Sequence, residues 1–497
     1  MPEHSTADRA WALDQLRRLF AATNLMIPGS SFEVVGHGSR AEALRRAFRR
    51  FGALPAADSP RFRFAVDDAG AASAVVGGSP IELSGRRRGA SDRIAWAFDF
   101  MPVTTSAVDR LADSGLPRGR RIGISMVLEP KTAVLALALH RAGAAVTVFA
   151  HPDETDDAVA AALRELGVPV FASRRATPAE HRALALAFLD DRPEILVDDG
   201  AHLIRLAHEE RPALVEELLG AAEETTSGVR ALRVMAAQGI LRTPVIAVND
   251  ARSKTSFDNR YGTGFSCVFA ILNLVGVPLP ASTTLVIGYG PVGEGVAHYL
   301  RAADIEVVVS ELDPVRALAA RFDGFRVAET ADAVRTAGLV ISATGVEGTV
   351  PAELLAHCAD GAVVAVAGGV PDEVGVERAI REGARLVRVS DGVERLSFDD
   401  GHSVTILGGA GAVNITAGEG NPIDIMDLSF AAQVAAIAQL LEAPARLPVG
   451  IHTISAREDS AVAAVALGWP VANGAASDSE SAEWRTTRFT REPEADG

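Results

Sequence analysis

The sequence predicts an α/β protein: two doubly wound, Rossmann-like parallel-sheet domains preceded by an N-terminal extension. Short apolar strands alternate with helical segments from about residue 93, and a second such series begins near residue 283. A glycine-rich turn directly follows the first strand of that second series. Alternation of this kind favours parallel sheets with helices on both faces, because successive parallel strands must be joined by long crossovers.

The N-terminal extension, residues 1–90, is the least regular part of the sequence. Residues 6–23 look helical, and residues 32–54 are predicted to form a short strand followed by an arginine-rich helix. The remaining residues to about 90 are rich in Gly, Ala and Ser and are predicted to be loosely structured. We find no chemistry-bearing motif in this extension, so its role stays open.

The rest of the chain divides into four predicted parts. These are two α/β domains at 91–260 and 261–423, a helical C-terminal segment at 424–472 and a mobile, Ser/Asp/Glu-rich tail at 473–497. The clearest strands, in chain order, are RIGISMVL, AAVTVFA, EILVDD, TTLVIGYG, IEVVVSE and LVISATG.

Composition excludes several classes of protein. Hydrophobic residues make up 48% of the 497 residues, which excludes a largely disordered chain. The net charge of −16 argues against nucleic acid or an anionic membrane as a partner, since both require clustered cations. The two cysteines, Cys267 and Cys358, are too few for a disulfide framework, and no metal-ligand cluster is recognised.

The start of the chain lacks the pattern of a secretory signal, so we expect a cytoplasmic protein. Residues 261–293 carry no charge, but Pro278 and Pro280 interrupt them. We therefore expect a buried helix, a turn and a buried strand there instead of a membrane span.

Lysine is almost absent. Of the 48 basic residues only Lys131 and Lys254 are lysines, and the others are arginines. A coding bias explains the general replacement, but a lysine can lose its proton when buried and an arginine cannot. The two that remain are therefore candidates for function.

The glycine-rich turn carries a dinucleotide-binding pattern, Gly288-Tyr289-Gly290-Pro291-Val292-Gly293, between a strand and a helix. The first glycine permits a tight turn, the second lets the backbone approach a pyrophosphate, and the third lets the helix pack on the strand. Glu311 ends the next strand, where a carboxylate binds both ribose hydroxyls and repels a 2′-phosphate. The pattern predicts NAD as cofactor.

Three long motifs resemble the S-adenosylhomocysteine hydrolase family. They are AEETTSGVRALRVMAAQGILRTPVIAVNDARSKTSFDNRYGTG (222–264), GYGPVGEG (288–295) and SELDPVRALAARFDGF (310–325). The resemblance extends over about residues 91–472. It implies a substrate-binding domain at 91–260, hinged to an NAD-binding domain at 261–423, with C-terminal helices that return to the first. It also implies a homo-oligomer, a tetramer or a dimer, acting on a small-molecule nucleoside.

The family's chemistry gives roles to the retained residues. NAD oxidises the ribose 3′-hydroxyl to a ketone, the acidified C4′ proton is removed, and the 5′ substituent is expelled. By resemblance, Lys254 is the base, with its pKa lowered towards neutrality in a dry pocket. Asp258 and Asn259 position the sugar hydroxyls and this lysine, Glu224 hydrogen-bonds the 2′/3′ side, and Asp199 is an acid/base group near C5′.

The resemblance also assigns binding residues. Those implied to contact NAD, besides Gly288, Gly290, Pro291, Val292, Gly293 and Glu311, are Thr225, Thr226, Ser227, Asn259, Thr344 and Asn414. Those implied to contact substrate are Glu129, Lys131, Thr132, Asp199, Glu224, Lys254, Asp258, Asn421 and Met426.

Several positions depart from the family pattern. Val127, Gly369 and Asn421 stand where the family has histidines, and Lys131 stands where it has an acid or amide that binds the adenine amino group. A lysine ammonium cannot accept from an amino group, so Lys131 is expected to face a carbonyl, a carboxylate or a phosphate, or to pair with Glu129.

Two further departures concern the cofactor site and the remaining histidines. Thr263 replaces a common cysteine, and the ending RFTREPEADG lacks the family's Lys-Tyr tail. His202 could compensate for one lost histidine, although an exposed helix position is the simpler expectation. The other histidines look like ordinary surface or helix residues.

Three functions remain open at this point. The first is a nucleoside dehydratase of specialised metabolism that oxidises, eliminates water across C4′–C5′ and reduces again, as nucleoside antibiotics of the angustmycin type require. The second is a divergent S-adenosylhomocysteine hydrolase. The third is a catalytically silent NAD-binding regulator.

Overall fold

A computed structural model describes residues 5–56, 58–83, 88–277, 283–370, 372–443 and 446–471. These residues form three sheets of five, seven and eight strands. The predicted mobile tail at 473–497 and the two prolines at 278 and 280 lie outside the described residues.

The N-terminal domain, residues 5–83, contains the five-stranded sheet. Its helices are α1 (Thr6–Thr23) and α2 (Ser39–Arg50). Its strands are β1 (Ser31–Val35), β2 (Leu54–Pro55), β3 (Phe62–Val66), β4 (Ala72–Val76) and β5 (Ser79–Ile81). The strand order is β2-β1-β3-β4-β5, with β1 parallel to both neighbours and β3, β4 and β5 antiparallel.

The prediction of loose structure up to residue 90 is wrong for most of that stretch. Strand β3 alternates strictly between buried and exposed residues. Phe62 and Phe64 are fully buried and contact Phe48 of α2, Phe62 by stacking and Phe64 edge-on. Glycine, alanine and serine around the hairpins dilute this two-residue period, which is why composition alone missed it.

The second sheet is built from seven parallel strands and carries the implied substrate-binding region. Its strands are β6 (Arg121–Ser125), β7 (Ala145–Phe149), β8 (Val170–Phe171), β9 (Ile195–Asp198), β10 (Gly220–Glu223), β11 (Pro244–Ala247) and, from the C-terminal segment, Gly450–His452. The helices are α3 (Ala90–Asp99), α4 (Pro102–Asp113), α5 (Pro130–Arg141), α6 (Asp157–Glu165), α7 (Pro178–Asp190), α8 (His202–Glu210), α9 (Pro212–Glu217), α10 (Thr226–Ala237) and α11 (Arg252–Thr255).

The strand order of this sheet is Gly450–His452, β11, β10, β9, β6, β7, β8. All its pairings are parallel, and every residue of β9, β10 and β11 is buried. Burial on both faces explains the continuous apolar runs in the sequence. The carboxyl ends of these central strands therefore meet at one edge, where ligands bind in open α/β sheets.

The third sheet follows a π-helix (Asp258–Thr263) and α12 (Gly264–Val275). Its strands are β12 (Thr284–Ile287), β13 (Val307–Ser310), β14 (Arg326–Val327), β15 (Leu339–Ser342), β16 (Val363–Val366), β17 (Arg385–Ser390), β18 (Val393–Ser397) and β19 (Ser403–Leu407). Its helices are α13 (Pro291–Ala302), α14 (Pro314–Phe322), α15 (Thr330–Ala333), α16 (Ala352–Leu355), α17 (Val376–Arg381) and α18 (Val413–Thr416). The order is β14-β13-β12-β15-β16-β19-β18-β17, with an antiparallel edge at β19-β18-β17.

The C-terminal segment contains α19 (Ile423–Glu442), the strand Gly450–His452, here β20, and α20 (Ala456–Ala466). Helix α19 is long and apolar enough to cross a membrane, but 72% of its most apolar window is buried inside the protein. It packs along α4, where Asp427 accepts hydrogen bonds from the backbone N–H groups of Val103 and Thr104. A core helix accounts for its composition.

Candidate active site

The glycine-rich turn lies at the carboxyl edge of the eight-stranded sheet, between β12 and α13. Gly288 has φ +96°, a left-handed value that favours glycine. A Cβ on Gly293 would lie 2.0 Å from Gly288 O, so no larger residue fits there. At Gly290 a Cβ would meet no atom closer than 3.5 Å, and Pro291 and Val292 open the helix. The open backbone at this helix N-terminus fits a pyrophosphate.

Glu311 lies beside this turn. Its two carboxylate oxygens accept the backbone N–H groups of Tyr289, at 2.7 Å, and Asp313, at 2.9 Å. Thr344 follows β15, the next strand on the other side of β12, and its N–H donates to Glu373 at 3.0 Å. A half-buried carboxylate fixed at the turn fits ribose hydroxyls and disfavours a 2′-phosphate.

Asn414, one of the residues implied to contact NAD, has a buried side-chain oxygen that lacks a hydrogen-bond donor among the described residues. Its side chain is 5% exposed, and its Nδ2 lies 3.1 Å from Ser266 Oγ and 3.0 Å from Asn421 Oδ1. Its Oδ1 is buried without a partner among the described residues. A buried unpartnered acceptor is costly, so it indicates a donor from a bound group.

Lys254, in α11, lies at the centre of the second group of predicted residues. Its side chain is fully buried, and its Nζ lies 2.7 Å from Asp258 Oδ2, one helical turn on. The same Nζ lies 3.4 Å from Asn249 Oδ1 and 4.0 Å from Glu224 Oε1. Two of the predicted catalytic residues, Asp258 and Glu224, therefore lie around the ammonium group of a third, Lys254.

The predicted lowering of the Lys254 pKa is wrong for the protein without its ligands. Burial lowers this pKa, but the carboxylates of Asp258, Glu224 and Asp199 outweigh burial and raise it to about 12. A dry pocket favours a neutral amine only where no counter-charge is near. The lysine is therefore an ammonium in this state.

Glu224 and Asp199 complete this cluster from the ends of β10 and β9. Glu224 Oε2 accepts a hydrogen bond from Gln433 Nε2 at 2.6 Å, and its Oε1 has no hydrogen-bond partner among the described residues. Burial raises the pKa of Glu224 to about 7, and burial likewise raises the pKa of Asp199 to about 6. Carboxyls that titrate near neutrality can exchange protons at physiological pH.

Asn421 contacts Asp258, and its predicted direct contact with substrate stays a prediction. Its Nδ2 donates to Asp258 Oδ1 at 2.6 Å and to Thr263 Oγ1 at 3.1 Å. Its Oδ1 lies 3.0 Å from Asn414 Nδ2 and 3.1 Å from Ser266 Oγ. Both amide protons of Asn421 are engaged, and the one donated to Asp258 orients that carboxylate against Lys254.

The remaining implied contacts lie on the same edges of the two sheets. Thr225 Oγ1 donates to Glu223 at 2.7 Å and caps α10, and Thr226 Oγ1 donates to Asn249 at 3.0 Å. Ser227 Oγ lies 3.3 Å from Thr225 Oγ1. Among these remaining residues, the side chains of Asn259 and Met426 make no hydrogen bond within the described part of the chain. Their assignment to cofactor and substrate stays a prediction.

Lys131 and Glu129 form a buried ion pair, with Nζ and Oε2 2.7 Å apart. This is the pairing that was left open from the sequence. Lys131 Nζ also donates to Asn24 Oδ1 at 3.1 Å and to the carbonyl of Glu419 at 2.7 Å. Thr132 is buried and its Oγ1 donates to Val127 O at 2.6 Å, and its predicted contact with substrate stays a prediction.

A group of residues near Asp199 was missed from the sequence. Glu154 is half-buried and its carboxyl makes no hydrogen bond within the described residues. Partial burial raises its pKa to about 8, with Asp199 acting in the same direction. His151 Nδ1 lies 3.0 Å from His181 Nε2, and its ring centroid lies 4.8 Å from that of His202.

His151 is therefore not the ordinary surface residue that we expected. Burial, with His202 and His181 nearby, lowers its pKa to about 4. The signal that could have revealed this group is the segment after β7, which follows a buried strand and ends at the same sheet edge as Asp199.

Glu154 also lies next to Val127, one of the positions that departs from the family pattern. Leu128 and Thr155 form a parallel bridge, and Leu128 N donates to Glu154 O at 2.9 Å. The residues that precede this bridge in the two segments, Val127 and Glu154, are therefore close to each other along the backbone.

The chain matches known proteins over most of its length. Two family models match it, "S-adenosyl-L-homocysteine hydrolase" over residues 85–217 and "S-adenosyl-L-homocysteine hydrolase, NAD binding domain" over residues 259–420. Both begin after the N-terminal domain. The second match and the turn geometry identify NAD as the cofactor.

Curated relatives agree with these matches. An adenosylhomocysteinase of Thermoplasma acidophilum is 37% identical over 377 residues, covering 76% of this chain and 92% of that protein. An S-inosyl-L-homocysteine hydrolase of Methanopyrus kandleri is 38% identical over 378 residues, covering 76% of this chain and 89% of that protein. A transhydrogenase of Sinorhizobium meliloti, a solved structure, is 14% identical, with 65% of this chain and 95% of that protein covered and a TM-score of 0.35. The chain belongs to the S-adenosyl-L-homocysteine hydrolase family.

Proposed function

We propose that this protein is an NAD-dependent nucleoside dehydratase that removes water across C4′–C5′. The observation that carries the proposal is a contrast within one site. The groups implied to act at C3′ and C4′, Lys254, Asp258 and Glu224, are assembled within 4.0 Å of the Lys254 ammonium. The groups near Asp199, on the C5′ side, are the half-buried acid Glu154 and a group of histidine rings in edge-on contact.

The C3′ and C4′ chemistry needs a base that is held in place. Bound NAD supplies a reversible hydride acceptor at C3′, and its positive charge favours the neutral form of a neighbouring amine. Lys254 then removes the proton from C4′, oriented by Asp258, while Glu224 binds the 2′/3′ hydroxyl side. Asn421 keeps Asp258 in register with the lysine.

The C5′ side needs an acid if the leaving group is a hydroxyl. Hydroxide leaves far less readily than a thiolate, so the C5′–O bond breaks more easily when a proton is delivered to the oxygen. We assign Glu154 as that donor, because partial burial and the neighbouring Asp199 raise its pKa to about 8, so that its carboxyl is protonated at neutral pH. The electron pair from the C4′–H bond forms the C4′–C5′ double bond, and the oxygen leaves as water.

The histidine group supports a small leaving group. The ring of His151 contacts the rings of His181 and His202 edge-on, with centroids 4.9 Å and 4.8 Å apart. His202 is exposed, as the sequence led us to expect. We expect these rings to leave less room for an amino-acid thioether than for a hydroxymethyl group.

The alternative is a divergent hydrolase with a rearranged pocket. The curated relatives named adenosylhomocysteinase and S-inosyl-L-homocysteine hydrolase, at 37% and 38% identity, favour it. It shares the oxidation half of the reaction and differs in the leaving group and in the return of water.

One assay separates these functions. The purified protein is incubated with S-adenosylhomocysteine, with S-inosylhomocysteine and with adenine nucleosides that carry a free hydroxymethyl group, while bound NADH and product mass are followed. A product lighter by one water supports the dehydratase, and homocysteine release supports the hydrolase. A protein that forms no NADH with any of them is a silent regulator, and both catalytic proposals are then wrong.

A further inference from the structure

The N-terminal domain reaches the implied nucleobase end of the site through one residue. Asn24 follows α1, is 6% exposed, and points its Oδ1 at Lys131 Nζ, 3.1 Å away. The two residues are 107 positions apart in the chain. No other hydrogen bond or ion pair of the described residues joins this domain to the side chain of Glu129 or Lys131.

The segment that carries Asn24 is held from several sides. Its own carbonyl accepts the N–H of Ile423 at 2.8 Å, and the carbonyl of Thr23 accepts Trp96 Nε1 at 2.8 Å. Met26 N donates to Asp424 Oδ2 at 2.8 Å. These bonds fix the turn between the substrate-binding region and the start of α19, so the Asn24 side chain has a defined position.

The rest of the domain packs against α12. Phe20 packs edge-on against Phe265 with centroids 5.0 Å apart, and Phe51 lies 5.4 Å from Phe269. Arg17 Nη1 donates to Asn273 Oδ1 at 2.9 Å. The aromatic residues of this contact are buried, so the domain is packed as part of the core.

The ammonium of Lys131 has no proton left for a ligand. An ammonium has three protons, and the three acceptors in reach are Asn24 Oδ1, the Glu419 carbonyl and Glu129 Oε2. The pair is neutral overall. Glu129 Oε1, in contrast, makes no hydrogen bond among the described residues, so the free polar atom at this end is an acceptor.

We propose that Asn24 is a specificity-positioning residue, through which the N-terminal domain sets the choice of nucleobase. By occupying one Lys131 proton, Asn24 keeps the lysine from donating to a base carbonyl and leaves Glu129 to accept from a base amino group. The site then prefers a 6-aminopurine over a 6-oxopurine. This inference rests on the proposed nucleoside function for the location of the base.

The test uses variants whose residue 24 can adopt the left-handed backbone conformation of Asn24, which has φ +52°. Asn24→Gly removes the acceptor and keeps the left-handed conformation without strain, and Asn24→Asp keeps an acceptor. The affinities for adenosine and inosine are measured by calorimetry on the NAD-loaded protein, with the melting temperature as a check on folding. Arg50→Gln is the matched control, because Arg50 binds Asp304 and the Arg301 carbonyl far from Lys131.

We expect Asn24→Gly to lower the adenosine-to-inosine affinity ratio at least tenfold, since it frees a Lys131 proton for a carbonyl. Asn24→Asp and Arg50→Gln should keep the ratio within threefold. In a protein that already carries Lys131→Met, Asn24→Gly should leave the adenosine-to-inosine affinity ratio unchanged, because the hydrogen bond between Asn24 and Lys131 is then already absent.

Equal losses for both nucleosides in Asn24→Gly, or the same shift without Lys131, would overturn the inference. If Asn24→Gly does not fold, Asn24→Ser, whose hydroxyl is too short to reach Nζ, decides the question by the same ratio. A wild-type protein that binds neither nucleoside would instead contradict the proposed function.

Discussion

The two lysines of this protein lie in similar places and have different surroundings. Both are buried, and each has a carboxylate oxygen 2.7 Å from its Nζ. Lys131 has three acceptors within 3.1 Å, one for each proton. Lys254 has its second acceptor at 3.4 Å, and the nearby Glu224 Oε1 lacks a hydrogen bond within the described residues.

The difference shows how one residue type serves two purposes. A lysine with every proton bonded to protein is fixed in place and holds three segments of chain together. A lysine beside a carboxyl that titrates near neutrality and has one oxygen without a hydrogen bond can pass a proton without losing a full set of hydrogen bonds. Lys131 and Lys254 do not differ in burial or charge. They differ in how many of their ammonium protons are hydrogen-bonded to protein, which distinguishes the structural Lys131 from the proposed base Lys254.

The largest expected effect comes from replacing each lysine by methionine. Lys254→Met should lower the rate of bound NADH formation by about 10³-fold or more, because the base at C3′ and C4′ is lost. Lys131→Met should cost about 3 kcal/mol of stability, because Glu129 loses its buried partner, yet keep NADH formation within about tenfold. Stopped-flow absorbance and thermal unfolding measure the two effects. Equal losses of NADH formation would break the comparison.

Glu154→Gln sharpens the comparison on the C5′ side. We expect a loss of about 10²-fold in water elimination, because the proton donor is gone, with NADH formation unchanged. A 5′-fluoro nucleoside, whose leaving group needs less protonation, should be processed by this variant nearly as fast as by wild type. Asp153→Asn, next along the chain, is the control. A loss that is the same for both leaving groups would contradict the assignment of Glu154.

Glu224→Gln tests the electrostatic part of the account. The folded pKa of Glu224, about 7, is raised by burial above its ordinary value, so the native state binds this proton more tightly than the unfolded state does. The stability that this tighter proton binding gives to wild type is present at low pH and is lost as pH rises from about 4.5 towards 7. The Gln variant does not lose it, so the unfolding free energy of the variant should rise relative to that of wild type over this window, by about 1.4 kcal/mol for each pH unit. A pH-independent difference would contradict the raised pKa.

The smallest effect is expected on the surface of the N-terminal domain. Arg50→Gln removes an exposed ion pair with Asp304 and should cost about 0.5 kcal/mol or less. Urea unfolding measures it. A larger loss would mean that the domain is held by surface charge and not by its aromatic core contacts.

Local motifs predicted the parts of the site that are contiguous in sequence. The turn from Gly288 to Gly293 and the pair Lys254 and Asp258 are each set by spacing along one strand, turn or helix. The contact of Asn24 with Lys131 and the neighbourhood of Glu154 and Val127 depend on how distant segments pack, which no local period encodes. The Lys254 pKa was misjudged for the same reason, because Asp199 and Glu224 come from other strands.

Isotope transfer tests the central claim of water elimination most directly. A nucleoside carrying a heavy oxygen isotope in its 5′-hydroxyl is incubated with the NAD-loaded protein, and both product and solvent are examined by mass spectrometry. The account predicts that the label appears in water and that the product is an unsaturated nucleoside without it. Label retained in every nucleoside, with bound NADH forming normally, would contradict it.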